Sequence, residues 1–164
     1  METCNSVDAL EEIYRWIKAI DINNPSRDDH YKVLPNGFLE IQSAAFQAGK
    51  KLSADVASIN SFNAEKTKRR GCDTDGVIGL IVGEVVNIIM EDQNKGVIDH
   101  DIVVKHDPIP DNKAHALICM KPRENIPDKI SNRRTERAFS QMRKSLAKLV
   151  NENRSLKIPP KTIK

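Results

Sequence analysis

The chain contains one long apolar run, Gly76 to Met90, and its other hydrophobic residues fall in shorter segments on either side. When residues 76–92 are wound at about 100° per residue, the branched aliphatic side chains cover one broad arc. The glycines and the polar residues Glu84 and Asn87 gather on the remaining side. This clustering predicts a central helix over 76–92. The many β-branched residues leave a buried strand as the alternative.

Three further segments carry apolar residues at steps of three and four, which is the spacing of one helix face. The first is predicted to begin after a cap at Ser6, and its apolar face extends to Ile20. The second covers residues 38–60. The third begins at Ser131 or Asn132, and its apolar face ends near residue 150.

Two segments, 97–105 and 114–121, are typical of strands and are separated by a Pro-containing loop, so they predict a β-hairpin. Two strands alone are marginally stable, so the hairpin is expected to pack on helices or on a third strand, for which 30–34 is a candidate. The predicted fold class is therefore α+β and mostly helical. About four helices are expected, arranged around the central apolar helix 76–92, with one hairpin (97–105/114–121).

The length of 164 residues fits one domain, and we expect residues 1–154 to be globular and 155–164 to be a basic, flexible tail. A hydrophobic fraction of 39% and a charged fraction of 30% are typical of a soluble globular protein. No membrane span is predicted, because the run from 76 to 90 is too short and contains polar residues.

The three cysteines, Cys4, Cys72 and Cys119, are an odd number at scattered positions, and no CxxC motif is present. They cannot form a disulfide framework, which favours a reducing compartment, the cytoplasm or the nucleus. The first residues lack the positive and apolar regions of a secretion signal.

Clustered cations are the strongest functional signal, although the net charge is only +3. The predicted nucleic-acid-binding residues are Arg133, Arg134, Arg137, Lys144 and Lys148 on one face of the last helix, with Lys66, Lys68, Arg69 and Arg70 in the segment before the central helix. Regularly spaced Lys and Arg side chains suit a phosphate backbone. The sequence has no zinc-finger spacing, RNP motif or aromatic platform, so backbone contacts to RNA or DNA are expected rather than base reading. The alternative is a solvated surface helix.

A second hypothesis is a protein-interaction adaptor or a self-associating module, including a homodimer. Gly79 and Gly83 lie one helical turn apart in the predicted central helix, which would allow close packing of a partner beside Glu84 and Asn87. The apolar stripe of 38–59 is the other candidate contact.

Enzymatic readings are weaker. Asp99 and Asp101 on one strand, with Glu84 and Lys121, are similar in part to a metal-dependent nuclease core. That arrangement also needs an acid two residues before the lysine, where this chain has Cys119.

A zinc site is the other metal hypothesis, because His100, His106 and His115 lie in or beside the hairpin near Cys119. Their spacing matches no known ligand set, and no cofactor-binding motif is present. We therefore predict no catalytic residue, no metal and no cofactor, and a nucleic-acid-associated regulatory protein as the function.

Overall fold

The computed structural model describes residues 6–47, 51–92, 96–123 and 128–162, and of residues 92, 97 and 128–135 it describes the backbone alone. In chain order the strands are β1 (Glu12–Ile17), β2 (Tyr31–Val33), β3 (Leu39–Ile41), β4 (Leu52–Val56), β5 (Gly76–Ile81), β6 (Glu91–Asp92), β7 (Gly96–Val97), β8 (His100–His106), β9 (His115–Pro122) and β10 (Leu156–Ile158). The α-helices in these ranges are α1 (Val82–Val86) and α2 (Asp128–Asn153). Short 3-10 helices cover Ser43–Phe46, Ala57–Asn60 and Ala64–Thr67.

Six strands form one antiparallel sheet in the order β10-β5-β1-β4-β9-β8. Two small two-stranded ribbons, β2-β3 and β6-β7, stand apart from it. The prediction of a mostly helical fold with about four helices is therefore wrong, since strand residues outnumber helical ones in the structure.

The first predicted helix is replaced by β1, which pairs with β5 over its whole length. Successive side chains of a strand point to opposite faces. Ile13 and Ile17 accordingly lie in the main core, and Tyr14 in a second small cluster on the other face. Because both faces of β1 are buried, its apolar residues do not alternate, and part of the pattern coincides with helical spacing.

The predicted central helix 76–92 is wrong for the same reason, and the strand alternative is correct for its first six residues. Gly76–Ile81 is strand β5, between β1 and β10, and five of its six residues are buried. A strand covered on both faces reads as a continuous apolar run. The helix that follows, α1, is only about one turn long, and the next strand is β6.

The predicted helix 38–60 divides into β3, a 3-10 helix, β4 and a second 3-10 helix, with residues 48–50 outside the described part. Each short element brings one to three apolar side chains into a hydrophobic cluster, among them Ile41, Phe46, Leu52 and Val56. The spacing of three and four between these residues therefore arises by chance from several short elements and does not mark one helix face.

The predicted hairpin is confirmed as β8 and β9, which pair from His100–Pro122 to His106–Ala116. The predicted last helix is confirmed as α2, although it begins at Asp128. The candidate third strand 30–34 contains β2, but β2 pairs with β3 and not with the hairpin.

The two faces of the sheet are covered differently. On one face α2 packs through Ala138, Met142 and Leu146 in the main core with the sheet residues Ile78 and Leu80. On the other face Ala57 and Ala64, from the 3-10 helices, pack with Tyr14, Val77 and Ile158.

Part of the segment predicted to be a flexible tail is β10, an edge strand paired with β5. The Cδ atom of Pro160 lies only 2.7 Å from the position that a Cβ on Gly76 would occupy. The absence of a side chain at Gly76 therefore permits this close approach. None of the described helices is both long enough and apolar enough to span a membrane.

Candidate functional site

A polar pocket of about 180 Å³ lies on the face of the sheet opposite α2. Its walls come from β1, β4, the start of β9 and the segment around the 3-10 helix Ala64–Thr67. The side chains that define it are Tyr14, Trp16, Ser53, Asp55, Lys66, Thr67, Lys68, Arg69, Asn112 and His115. Three of the four cations predicted in residues 66–70 therefore line one pocket.

The carboxylate of Asp55 holds the floor of this pocket together. Asp55 is 7% exposed. Thr67 Oγ1 donates to one carboxylate oxygen at 2.8 Å, and Asn112 Nδ2 donates to the other at 2.7 Å. Hydrogen bonds of this kind compensate for burial of a charge, so Asp55 ties the 3-10 helix and the β8–β9 loop to β4.

Arg69 is fixed in place. Its guanidinium makes a two-pronged ion pair with the buried carboxylate of Asp75, with N–O distances of 2.8 and 2.7 Å. The hydrogen bonds that Arg69 donates to the Asp75 carboxylate raise the pKa of Arg69. The guanidinium carbon also lies 4.4 Å from the centre of the Trp16 ring. Trp16 thus positions Arg69.

The other cations of segment 66–70 differ in whether their side chains are held by contacts within the protein. Lys68 forms an ion pair with Glu65 at 2.9 Å and donates to the carbonyl of Asp73 at 3.3 Å. Lys66 and Arg70 are exposed. Of the four predicted phosphate contacts, Lys66 and Arg70 are the two best placed to reach a ligand.

Two further groups pack around Trp16, the half-buried His30 and the buried Arg15. The ring of His30 stacks on the Trp16 ring with 5.6 Å between centroids, and its Nδ1 accepts a hydrogen bond from the backbone N–H of Lys18. Burial, followed by the positive charges of Arg15 and Arg69, lowers the pKa of His30 to about 4. Arg15 is 2% exposed and donates to the carbonyls of Ala45 and Ser53.

The C-terminal segment lies beside the 66–70 segment. The backbone N–H of Lys161 donates to the carbonyl of Thr74 at 2.9 Å, and β10 contacts the 3-10 helix Ala64–Thr67. Lys161 is exposed, whereas Lys157 forms an ion pair with Glu12 at 2.6 Å. Two basic segments that are far apart in sequence therefore meet on one face, and the last lysine of the sequence, Lys164, lies outside the described residues.

The basic residues of α2 lie on the other side of the molecule. Lys144 and Lys148 are exposed, and Lys148 forms an ion pair with Glu152 at 3.7 Å. Arg137 is half-buried. The side chains of Arg133 and Arg134 lie outside the described part. The structure thus separates the two groups of predicted nucleic-acid contacts by the thickness of the sheet.

The predicted protein-interface residues lie near β5 and α1, where the glycines pack against the chain itself. A Cβ on Gly79 would meet the side chains of Glu12 and Lys157. A Cβ on Gly83 would lie 2.9 Å from the carbonyl oxygen of Ala9. Intramolecular contacts are sufficient to explain both glycines.

The two polar members of that predicted interface are exposed. Glu84 accepts a hydrogen bond from Asn153 Nδ2 at 2.8 Å, and Asn87 ends α1. Both remain accessible, so they do not exclude a partner.

The structure does not bring together the residues that the nuclease-like and zinc-site hypotheses require. Asp101 is engaged by Arg123 Nε at 2.9 Å, while Glu84 is bound to Asn153. Buried His100 has its side chain on the α2 face, with Ile102 and Val104, whereas His115 lines the pocket on the opposite face. Within the described residues, no group of three or more His, Cys, Asp or Glu side chains could hold a metal ion.

Sequence reasoning did not bring together Trp16, Ser53, Asp55 and His115, because they lie on different strands and share no local motif. Only the antiparallel register of β4 and β9, in which Asp55 lies opposite His115, makes them neighbours. Because the residues of β4 are predicted to belong to a helix, the sequence does not predict the register between β4 and β9.

A second, apolar cavity of about 450 Å³ lies between the β2–β3 ribbon, the end of α2 and β10. Its apolar lining is formed by Leu34, Phe38, Leu39, Ile41, Val150 and Leu156. Phe38 is 56% exposed, and the guanidinium of Arg154 lies 5.2 Å from its ring centre. Asn151 holds the ribbon by accepting from the N–H of Ile41 and donating to its carbonyl.

Comparison of the chain with protein-family models, with curated proteins and with solved structures finds no match in any of the three.

Proposed function

We propose that this protein is a nucleic-acid-associated protein of the cytoplasm or nucleus that binds the backbone of RNA or DNA. The observation that carries the proposal is the meeting of two basic segments, 66–70 and 157–161, on the face opposite α2. Lys66, Arg70 and Lys161 are exposed there. Exposed cations of this kind neutralise phosphates and release counterions.

The rigid surroundings of these cations support the proposal. Arg69 is held by Asp75 and Trp16, and Lys68 is held by Glu65. The loop that carries Lys66 and Arg70 is therefore anchored between these two residues. An anchored loop loses less conformational entropy on binding than a free one. The Trp16 ring is already occupied by Arg69 and His30, so contacts to the backbone are favoured over base stacking.

The test is fluorescence anisotropy with random-sequence single- and double-stranded oligonucleotides over a range of salt concentrations. The wild-type affinity should fall steeply with salt. The double variant Lys66→Glu/Arg70→Glu should lose at least about tenfold in affinity at low salt and should bind with a shallower salt dependence, by about one unit of log–log slope per lost phosphate contact.

The matched control is Lys144→Glu/Lys148→Glu, which changes the net charge by the same amount on the α2 face. We expect it to bind almost as well as the wild type. If the α2 variant alone loses affinity, the binding surface is the helix stripe. Negligible retention of wild-type protein on either nucleic acid at low salt would exclude the proposed function.

Self-association is the alternative function, and the apolar cavity beside Phe38 favours it. Phe38 and Leu156 are exposed large apolar side chains on the edge of this cavity. Clustered apolar exposure of this kind is a common feature of interfaces. Light scattering over a range of concentrations should then show a mass that rises with concentration in the wild type and not in Phe38→Ser.

Phe62→Ser is the matched control for self-association, because Phe62 is 62% exposed and does not line this cavity. A monomeric mass at every concentration would exclude self-association.

A further inference from the structure

Two side chains that line the pocket, Ser53 and His115, together with Asp107 beside His115, have the arrangement of a nucleophile, a base and an orienting residue. Ser53 Oγ lies 3.3 Å from His115 Nε2. His115 Nδ1 lies 2.7 Å from the backbone carbonyl oxygen of Asp107 and 3.3 Å from its carboxylate. Such a set is recognised by geometry and roles and not by the order of residues in the chain.

The tautomer of His115 follows from its partners. A carbonyl oxygen can only accept, so the short contact with Asp107 places the ring proton of neutral His115 on Nδ1. The lone pair of Nε2 then faces the hydroxyl of Ser53, which donates to it. This is the protonation state in which a histidine can remove a proton from a serine hydroxyl.

The serine is both held and accessible. Its backbone carbonyl accepts a hydrogen bond of 2.6 Å from Arg15 Nη1, and its place in β4 is fixed by pairing with β9. The residue as a whole is exposed. The ring of His115 is largely enclosed, with a side-chain exposure of 14%. A separation of 3.3 Å is within the looser range found for catalytic pairs without substrate.

We propose that Ser53 and His115 hydrolyse small carboxylic esters whose acyl part carries a negative charge. The volume of about 180 Å³ admits a small acyl group, and the ammonium group of Lys66 on the wall of the same pocket supplies the complementary charge. Asp107 is a positioning residue, because it acts through the ring of His115.

The reaction balances with water as the co-reactant. Ser53 Oγ attacks the ester carbonyl while His115 Nε2 takes the hydroxyl proton. The tetrahedral intermediate then expels the alcohol, which receives that proton and leaves an acyl-serine. A water molecule, deprotonated by Nε2, attacks the acyl-serine, so the carboxylic acid is released and the Ser53 hydroxyl is restored. The reaction itself requires no nucleic acid, although Lys66 belongs to both proposed binding surfaces.

Covalent labelling tests the nucleophile directly. The folded wild type should react with a fluorophosphonate, and peptide mapping should place the adduct on Ser53. The unfolded protein and Ser53→Ala should not react. Ser58→Ala is the matched control, since Ser58 lies just beyond the same strand and outside the pocket. Absence of an adduct on the wild type, or an adduct on another residue, would overturn the proposal.

Hydrolysis of two chromogenic esters tests the base and the charge preference. The wild type should hydrolyse the 4-nitrophenyl monoester of succinic acid in preference to 4-nitrophenyl acetate. His115→Gln should lower the rate by roughly 100-fold. Lys66→Ala should lower the rate on the charged ester more than the rate on the acetate, so that the preference for the charged ester disappears. Rates for the wild type equal to those of Ser53→Ala would exclude the activity, whether or not the protein binds nucleic acid.

Discussion

Arg15 is a buried cation whose hydrogen bonds bridge two parts of the chain. It is 2% exposed, and it donates to the carbonyls of Ala45 and Ser53. Burial lowers the pKa of Arg15 to about 10, so the side chain is still charged at neutral pH. Removing it leaves two carbonyl groups in a buried site without these donors.

We expect Arg15→Met to lower the free energy of unfolding by about 2–4 kcal/mol, because each unsatisfied buried acceptor costs about 1–3 kcal/mol and packing only partly compensates. Urea denaturation measures the change, and the exposed Arg27→Met is the control. A variant as stable as the wild type would show that the cost of burying the charge equals the gain from its hydrogen bonds.

His30 gives the protein a predictable pH dependence at the same place. Its pKa is lowered from 6.5 to about 4 by burial and then by the neighbouring cations Arg15, Arg69 and Lys18, with Asp75 opposing them. The unfolded chain therefore binds a proton between pH 6.5 and 4 that the folded protein does not. By linkage, the contribution of His30 to stability is constant above this window and decreases as the pH falls through it.

His30→Gln should flatten this decrease, since the glutamine oxygen can still accept from the N–H of Lys18 and does not titrate. Thermal unfolding at several pH values between 4 and 7 measures the slope, with His106→Gln as the control. Equal slopes in the wild type and in His30→Gln would contradict the assignment.

At the level of elements, β10 closes the sheet beside β5. Ser155 accepts from the N–H of Gly79 at 2.8 Å, and the strand then pairs with Val77 and Ile78. Pro160 and Ile158 cover Gly76. These contacts predict that the C-terminal residues stabilise the fold. The flexible tail expected from the sequence would contribute no such stability.

Deletion of residues 155–164 should therefore lower the melting temperature by roughly 4–8 °C, the equivalent of about 2 kcal/mol in a domain of this size. It should also promote aggregation, because it exposes the edge of β5. Deletion of the last two residues alone is the control. An unchanged melting temperature after the longer deletion would favour the flexible tail.

The elements that sequence analysis predicted correctly are those with one buried face or a clear turn. The β8–β9 hairpin alternates along β8, and α2 has a single apolar face, so each shows its own period. β5 and β1 are covered on both faces and show neither period clearly. The candidate site follows the same rule: the segment 66–70 was visible as a local cluster, whereas its proximity to Trp16, His115 and Lys161 depends on strand pairing.

At the level of the whole molecule, the sheet separates the basic residues of segment 66–70 from those of α2. Its strand pairing also affects the order in which the fold can form. β5 pairs with β1 from the N-terminal part of the chain and with β10 from its C-terminal end. The polar pocket likewise combines β1, β4 and the start of β9, which come from distant parts of the chain. Local contacts, which dominate in a helical bundle, contribute less here.

We therefore expect refolding in about milliseconds to seconds, as for other sheet-rich domains, and not in the microseconds to milliseconds typical of helical bundles. Trp16 is the single tryptophan, and it lies against Arg69 and His30, so stopped-flow fluorescence reports on assembly of the pocket itself. Double-jump experiments separate the slow phases caused by proline isomerisation. Recovery of the native Trp16 signal within the dead time of mixing would show that β1 and its neighbours assemble from local contacts before the C-terminal strand is added.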